Sequence, residues 1–392
     1  MNNVEKAKSI IDAALKFGIN PSLEPIFRIC ELLGNPQQHY ICIQVGGTNG
    51  KTSTSRYLAA LLRAAGYKTG LYTSPELVHV RERVEVDGVP VEEESFAQAV
   101  LTVHAVAEAN QLELTEFELI TAAAFWIYDQ NGVDYAVLEV GLGGRWDATT
   151  VVTPVLAVLV GVDLEHTAIL GDTITAIAIE KSKIIKPGTL AVAAPTHAEA
   201  IAVFKAEAET QGSRFVEVPN VITPEPNSYQ AQNKLTALTA FNELLGQDVL
   251  AESLAQTVLD QTVIPGRLET MHEDPLVIID ATHNPASART LVNNFSVEHA
   301  ILLLAILNDK DARGIIETLA PHFEEIVATQ TSSPRAIPVA ELAVLVEEVT
   351  GIAPETYPSP KAALDVLLQQ ERTVVATGSV TLAGEVRHIF LY

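Results

Sequence analysis

The stretch "YICIQVGGTNGKTSTSRYLAALLRAAG" (Tyr40–Gly66) joins a short β-branched run to a helical pattern through a glycine-rich turn. The run Tyr40–Val45 has the composition of a buried strand. From Lys51 onward apolar residues recur at helical spacing until Gly66, a residue type that favours helix ends. Strand, glycine turn and helix in this order predict a loop that binds phosphate through its backbone N–H groups and the helix N-terminus.

The glycine spacing of this loop differs from that of the common P-loop. The common pattern G-x-x-x-x-G-K-[ST] requires a glycine where this chain has Val45. Lys51 is still placed to reach the β- and γ-phosphates of a nucleotide, and the Thr52 hydroxyl to join the phosphate and Mg²⁺ shell. A plain glycine-rich turn with an exposed lysine is the alternative, which the flanking strand and helix disfavour.

Strand-like and helix-like segments alternate along nearly the whole chain. "DYAVLEV" (134–140) and "TPVLAVLVGV" (153–162) are continuously apolar, as strands of a parallel sheet buried on both faces are. The alternation is interrupted at "QTVIPGRLE" (261–269) and then restarts. We therefore expect two α/β domains: a P-loop-type ATPase domain with a mainly parallel sheet at 1–263, and a smaller Rossmann-like domain at 264–392. Asp87-Gly88 predicts a hairpin within the first domain.

Composition and charge narrow the classes of partner. The formal net charge is −24, which disfavours nucleic acid and anionic membrane surfaces. The two cysteines, Cys30 and Cys42, lack metal-ligand spacing and are expected to be buried thiols. The N-terminus reads as a charged amphipathic helix and not as a signal peptide, and no apolar run is long enough to span a bilayer. We expect a cytoplasmic monomer that acts on small molecules.

The loop "GTNGKT" (47–52) is similar to the shorter phosphate loop of the Mur ligase superfamily, whose members join amino acids to carboxylates with ATP. Within it, the chain resembles the branch of folylpolyglutamate synthase and dihydrofolate synthase. The resemblance runs almost from end to end, in family order, through these segments: "LEPIFRICELLGNPQQHY" (23–40), "YTSPELVHVRERVEVDGVPV" (72–91), "TEFELITAAAFWIY" (115–128), "LEVGLGGRWDATT" (138–150), "DLEHTAILGDTITAIAIEKSKIIKPG" (163–188), "PGRLE" (265–269), "DATHNP" (280–285) and "TGSVTLAGEVR" (377–387).

This resemblance implies an ATP-dependent ligase that adds L-glutamate to a folate, to dihydropteroate or to both. An acyl phosphate would be the intermediate, and ADP and phosphate would be released. The segment 1–263 would hold ATP and the folate, and 264–392 would be the glutamate-ligase domain. Lys51, Lys181, Asp280 and His283 are implied as catalytic. The residues implied to bind ATP are Gly47, Thr48, Asn49, Gly50, Lys51, Thr52, Asn233, Arg267 and Asp280.

The resemblance also implies a metal centre and an acceptor site. Ser74, Glu139 and His166 are implied as ligands of Mg²⁺, of which two ions are expected, with Thr52 as a further candidate. Lys181 corresponds to a lysine that is carbamylated in the family. Phe117 and Asp147 are implied to line the pocket for the pterin or folate.

The residues by themselves leave plainer alternatives at several of these positions. Glu139 ends a strand and would pair with Arg145 if it served structure alone. Lys181 reads as an exposed lysine on an amphipathic helix, and His166 as an ordinary polar histidine. Asn284-Pro285 has the pattern of a helix N-cap followed by the first helical residue.

Three other functions compete with a folate ligase. A guanine-nucleotide switch would need N-K-x-D, and "LNDKD" (307–311) has these letters in the wrong order. A nucleotide-binding module without catalysis would not need Lys51, Lys181 and His283 together. A ligase for a cell-wall precursor is the nearest rival, because Thr52 is more typical of that branch; the long lead-in at 23–40 argues against it.

Overall fold

The computed structural model describes residues 1–18, 21–221, 228–295 and 299–391. They divide into two compact units. The first comprises mainly Met1–Glu76, Arg81–Val221 and Gln230–Thr262. The second consists mainly of Leu77–Val80 and the chain from Val263 onward. The second unit thus starts next to the interruption seen in the sequence pattern.

The first unit is built on an eight-stranded sheet. Its strands, in chain order, are β1 (Ile41–Gly46), β2 (Thr69–Tyr72), β3 (Val84–Val86), β4 (Val89–Pro90), β5 (Tyr135–Glu139), β6 (Leu156–Leu159), β7 (Leu190–Ala193) and β8 (Phe215–Glu217). The spatial order is β4-β3-β2-β5-β1-β6-β7-β8. All strands from β2 to β8 in this order pair in parallel, whereas β3 and β4 form the antiparallel hairpin predicted at Asp87-Gly88.

Ten α-helices accompany this sheet in the described residues: α1 (Asn3–Ala14), α2 (Glu24–Leu32), α3 (Lys51–Ala64), α4 (Glu93–Ala109), α5 (Glu116–Asn131), α6 (Thr167–Leu170), α7 (Ile174–Ser182), α8 (Ala198–Thr210), α9 (Ser228–Leu245) and α10 (Glu252–Gln261). As predicted, α3 begins at Lys51 and the chain leaves the helix through Gly66, which has a left-handed φ of 91°.

The register of the four central strands brings their carboxyl ends to one edge of the sheet. Tyr72 pairs with Leu138, Val45 with Glu139, and Gly46 with Leu159. Loops that follow β2, β5, β1 and β6 therefore leave the sheet side by side. Open α/β sheets bind their ligands at this edge.

Replacing Gly70 with alanine is expected to lower the free energy of unfolding by about 1–3 kcal/mol, the usual cost of overpacking a core. Gly70 lies on β2, and a Cβ there would sit 2.7 Å from the ring of the buried Tyr128. Urea unfolding followed by circular dichroism measures the change. Gly161→Ala is the matched control, because a Cβ at Gly161 has no neighbour within 4 Å. Equal stability of the two variants would contradict the packing argument.

The second unit has a six-stranded sheet in the order β13-β12-β11-β14-β10-β9. The strands are β9 (Glu269–Glu273), β10 (Leu276–Ile279), β11 (Ile301–Leu304), β12 (Glu325–Thr329), β13 (Glu355–Tyr357) and β14 (Val374–Thr377). The helices are α11 (Pro285–Asn294), α12 (Ala312–Leu319), α13 (Val339–Thr350), α14 (Pro360–Leu367) and α15 (Val380–Leu391). Successive residues of β11 enter opposite cores, so this sheet is covered on both faces.

Some elements were not expected from the sequence. β9 is antiparallel to β10 at the edge of its sheet, and most of its side chains are exposed or half-buried. β13 and α10 are likewise short additions. Cys30 and Cys42 are buried free thiols, as predicted, and burial raises the pKa of each to about 12. In the described part of the chain, no helix is both long and apolar enough to cross a membrane.

Candidate active site

The loop between β1 and α3 can be made only with glycine at two positions. Gly47 and Gly50 have φ angles of 147° and 93°. A Cβ at Gly47 would lie 2.2 Å from the Val160 side chain, and one at Gly50 would lie 2.5 Å from Asn233 Oδ1. The loop therefore packs closely against the residue after β6 on one side and against α9 on the other. The structure thereby places Asn233, expected from the resemblance, directly against the phosphate loop.

Two lysines converge on one carbonyl oxygen of this loop. Lys51 Nζ donates to Gly47 O and Thr48 O, each at 3.0 Å. Lys181 Nζ donates to the same Gly47 O at 2.7 Å and to Glu165 Oε1 at 2.8 Å. Lys181 is only 1% exposed, so the reading of it as a surface lysine is wrong. Its helix α7 turns this side chain toward the sheet edge.

The charged groups in this cluster change one another's pKa values. Burial lowers the pKa of Lys181 to about 8, aided by the positive charge of Lys51 and opposed by Glu165. For Glu165, burial favours the neutral acid, but the positive charges of Lys51 and Lys181 outweigh it and lower its pKa to about 2. At neutral pH the site therefore holds a firmly ionised carboxylate beside an amine that deprotonates readily. Glu165 was not foreseen, although it stands inside the quoted segment 163–188.

The residues implied as metal ligands follow neighbouring strands. Glu139 is the last residue of β5 and is buried, and Thr52 Oγ1 donates to its Oε1 at 2.9 Å. Ser74 follows β2. His166 follows β6 and caps α6 with a left-handed φ of 47°. Arg145, the structural partner considered for Glu139, makes its ion pair with Glu180 at 3.0 Å.

The donors at this edge suit a hard cation. Carboxylate and hydroxyl oxygens are the ligands that Mg²⁺ prefers, completed by substrate phosphates and water. Among the described residues, no group of three or more His, Cys, Asp and Glu side chains could hold a metal ion.

A cavity of about 420 Å³ opens beside the loop that follows Glu139. Phe117 and Asp147 both line it, so the structure brings these two sequence candidates together. Asp147 accepts hydrogen bonds from Gly141 N and Leu142 N, each at 2.9 Å, and from the backbone and hydroxyl of Thr149. Burial raises the pKa of Asp147, and these four hydrogen bonds oppose the rise. Asp147 thus shapes the loop that forms the cavity wall.

A second cluster lies at the end of β10 in the second unit. Asp280 is buried and accepts from Leu268 N at 3.0 Å and from Thr282 N at 2.9 Å. Burial raises its pKa, and the positive charge of Arg267 opposes the rise. His283 Nδ1 lies 2.9 Å from Ala281 O; since a carbonyl oxygen can only accept, Nδ1 carries the proton of this hydrogen bond. The end of β10 thus brings together three of the residues implied by the resemblance: Arg267, Asp280 and His283.

The helix that follows this cluster begins as the sequence predicts. Asn284 is the N-cap of α11 and accepts from Ser287 N at 2.7 Å, and Pro285 is the first helical residue. Asn284 therefore has a structural role, because it orients the turn that carries His283.

Known proteins match this chain along most of its length. Residues 45–220 match the Mur ligase middle domain, and residues 266–380 match the Mur ligase glutamate ligase domain. The dihydrofolate synthase/folylpolyglutamate synthase of Mycobacterium tuberculosis is 33% identical over 446 residues, which cover 95% of this chain and 90% of that protein.

Solved structures are similar to this chain over nearly its whole length. The folylpolyglutamate synthase of Mycobacterium tuberculosis complexed with ADP superposes with a TM-score of 0.90 at 30% identity, covering 100% of this chain and 98% of that one. The bifunctional folylpolyglutamate synthase/dihydrofolate synthase of Yersinia pestis complexed with AMPPNP and Mn ion gives a TM-score of 0.85 at 25% identity, covering 99% and 98%.

Proposed function

Because this chain belongs to the Mur ligases, in the branch of the folylpolyglutamate and dihydrofolate synthases, we propose that it is an ATP-dependent ligase joining L-glutamate to a folate, to dihydropteroate or to both. The observation that carries the proposal is the convergence of Lys51 and Lys181 on Gly47 O, beside the Thr52–Glu139 contact. This arrangement supplies cations and loop amides for a nucleotide at the sheet edge. The enzyme is proposed to act as a cytoplasmic monomer.

The chemistry requires activation of a carboxylate. A carboxylate oxygen of the acceptor attacks the γ-phosphorus of ATP, which gives an acyl phosphate and releases ADP. The amine of glutamate then attacks the acyl carbon, the C–O bond to phosphate breaks, and the amine loses a proton as the amide forms. Lys51 and the loop N–H groups would stabilise charge on the phosphoryl group, the largest single contribution in such transfers.

Ser74, Glu139 and His166 would hold Mg²⁺, with the Thr52 hydroxyl orienting Glu139. The ion supplies positive charge that offsets the charge of the phosphates when it is bound. Lys181 is proposed to take up CO₂ as a carbamate and so to become an anion near this centre. Its lowered pKa supports this, since only the neutral amine adds to CO₂. Arg267, Asp280 and His283 are proposed to face the nucleotide and the reacting carbonyl.

The test is a product assay with separated acceptors. The protein is incubated with ATP, Mg²⁺ and L-glutamate, together with dihydropteroate, tetrahydrofolate or a UDP-linked cell-wall precursor in parallel reactions, and the products are weighed by mass spectrometry. We expect a mass gain of one glutamyl residue on at least one of the first two acceptors, with matching phosphate release. Glutamyl transfer to the cell-wall precursor alone, or to no acceptor, would refute the proposal.

A further inference from the structure

The four residues that follow β2 carry Ser74, one of the residues proposed to hold Mg²⁺. This segment, Thr73–Glu76, is held at both of its ends by one arginine. Thr73 N donates to Arg83 O at 3.0 Å, and the Arg83 guanidinium donates from Nε to Glu76 Oε2. Arg83 thus fixes the residue before Ser74 through its backbone and a residue after it through its side chain.

Arg83 is itself anchored to a helix. Its Nη1 lies 2.9 Å from Glu116 Oε1, and Glu116 is the first residue of α5. The start of this helix is fixed by a capping box, in which the Thr115 side chain accepts from Glu118 N and the Glu118 side chain accepts from Thr115 N. A chain of contacts therefore runs from α5 through Glu116 and Arg83 to the segment Thr73–Glu76.

The ion pairs of Arg83 are largely shielded from water. The side chains of Arg83, Glu116 and Glu76 are 10%, 17% and 26% exposed. A guanidinium is planar, always charged and carries its N–H donors in a fixed fork, so it can hold two carboxylates at once in set directions. Salt and water screen such part-buried pairs much less than exposed ones. The link between α5 and the Ser74 segment is therefore a rigid one.

A buried arginine pair can also serve the fold alone, and the same unit contains an example. Arg56 on α3 pairs with Glu85 on β3, with side chains 14% and 5% exposed. That pair joins a helix to a strand. Arg83 differs because its backbone oxygen and its guanidinium Nε both bind the four-residue segment around Ser74.

We propose that Arg83 is a positioning residue for the divalent cation: anchored by Glu116, it holds Thr73–Glu76 so that Ser74 is presented to the ion at the edge of the sheet. Groups that orient a metal ligand without touching the metal commonly change metal affinity about 10–100-fold when they are removed. The inference rests on the proposed function, since the cation is the one proposed to accompany ATP.

Binding of a metal–nucleotide complex, without turnover, tests the proposal. Protein is titrated into a fixed, low concentration of Mn²⁺ and AMPPNP, and the relaxation rate of water protons reports how much of the complex is bound. Glu76→Ala cuts the link to the segment and leaves Arg83 paired with Glu116, so the fold should survive, which thermal unfolding verifies. We expect the dissociation constant of the complex to rise about tenfold. Glu76→Gln should recover most of this loss, because its amide oxygen still accepts from Arg83 Nε.

Two references separate a metal effect from a general one. The affinity for AMPPNP in EDTA should change less than about twofold in Glu76→Ala, since Ser74 is proposed to act on the ion and not on the nucleotide. Glu207→Ala is the matched control, because Glu207 is also a part-buried carboxylate of the first unit, paired with Lys183. This variant should bind the Mn²⁺–AMPPNP complex as the wild type does.

A double-mutant cycle decides whether Glu76 acts through Ser74. Ser74→Ala should weaken binding of the complex to a similar degree, and adding Glu76→Ala should cost less than about twofold more, because the hydroxyl that is positioned is already gone. Additive losses would overturn the proposal, and so would unchanged binding in either single variant. A wild type that binds the complex but ligates no acceptor would refute the proposed function and leave this inference standing.

Discussion

Replacing Lys51 with alanine is expected to lower the rate of glutamate ligation at least about a hundredfold, since removal of one transition-state contact commonly costs that much. The Lys51 ammonium lies on Gly47 O and Thr48 O, at the N-terminus of α3 where nucleotide phosphates would sit. The side chain is only half-buried and leaves no core cavity when truncated. Steady-state phosphate release measures the rate, and circular dichroism verifies the fold.

Lys205→Ala is the matched control for the loss of one positive charge. Lys205 lies on α8, half exposed, in a surface ion pair with Glu217. Such pairs contribute little to stability, so this variant should retain wild-type activity. If Lys51→Ala keeps more than about a tenth of the wild-type rate, Lys51 does not serve the phosphoryl transfer in the way proposed.

Lys181→Arg is expected to lose activity to a similar extent. Arginine keeps the positive charge that Glu165 requires, but it cannot form a carbamate at any accessible pH. Lys181→Ala should also be inactive, and acetate should restore part of the activity by supplying a carboxylate in the vacated space. Lys183→Arg is the control and should be fully active, because Lys183 caps the C-terminus of the same helix and pairs with Glu207.

The carbamate also predicts a dependence on CO₂ and pH. The neutral fraction of the Lys181 amine increases with pH and levels off above its pKa of about 8. Recovery of activity after CO₂ depletion, started by bicarbonate, should therefore accelerate between pH 7 and 8 at constant dissolved CO₂. A fully active Lys181→Arg variant, or activity that is indifferent to CO₂ depletion, would contradict the carbamate and leave Lys181 with its contacts to Glu165 and Gly47 O.

Local sequence predicted the phosphate loop well because its determinants are local. The strand, the glycines and the helix that starts at Lys51 lie within one short stretch, and each has its own chemical requirement. The hairpin at Asp87-Gly88 is a second example. Thr52 and Glu139 were named separately as candidate metal ligands from the resemblance, and their hydrogen bond is seen only in the structure.

The burial of Lys181 could not be predicted in this way. Lys181 follows the apolar residues 176–179 and stands among polar ones, Glu180 and Ser182, as a surface lysine would. Its partners Gly47 and Glu165 come from two other loops of the sheet edge. Only the strand order brings these three together. Trp146 lines the cavity beside Asp147 and is 52% exposed, and a tryptophan between two charged residues does not reveal this from sequence alone. Its exposure beside a cavity became visible only in three dimensions.

The place of β1 in the sheet has a consequence for biosynthesis. Its two neighbours are β5 and β6, which begin at Tyr135 and Leu156, whereas β2 can pair early with β3. During synthesis, β1 therefore leaves the ribosome about a hundred residues before the first of its two partner strands, so neither of its edges can yet pair. Nascent chains stalled before Tyr135 would thus expose this strand and be the ones that chaperones must hold, and nucleotide could protect only chains that have passed that point.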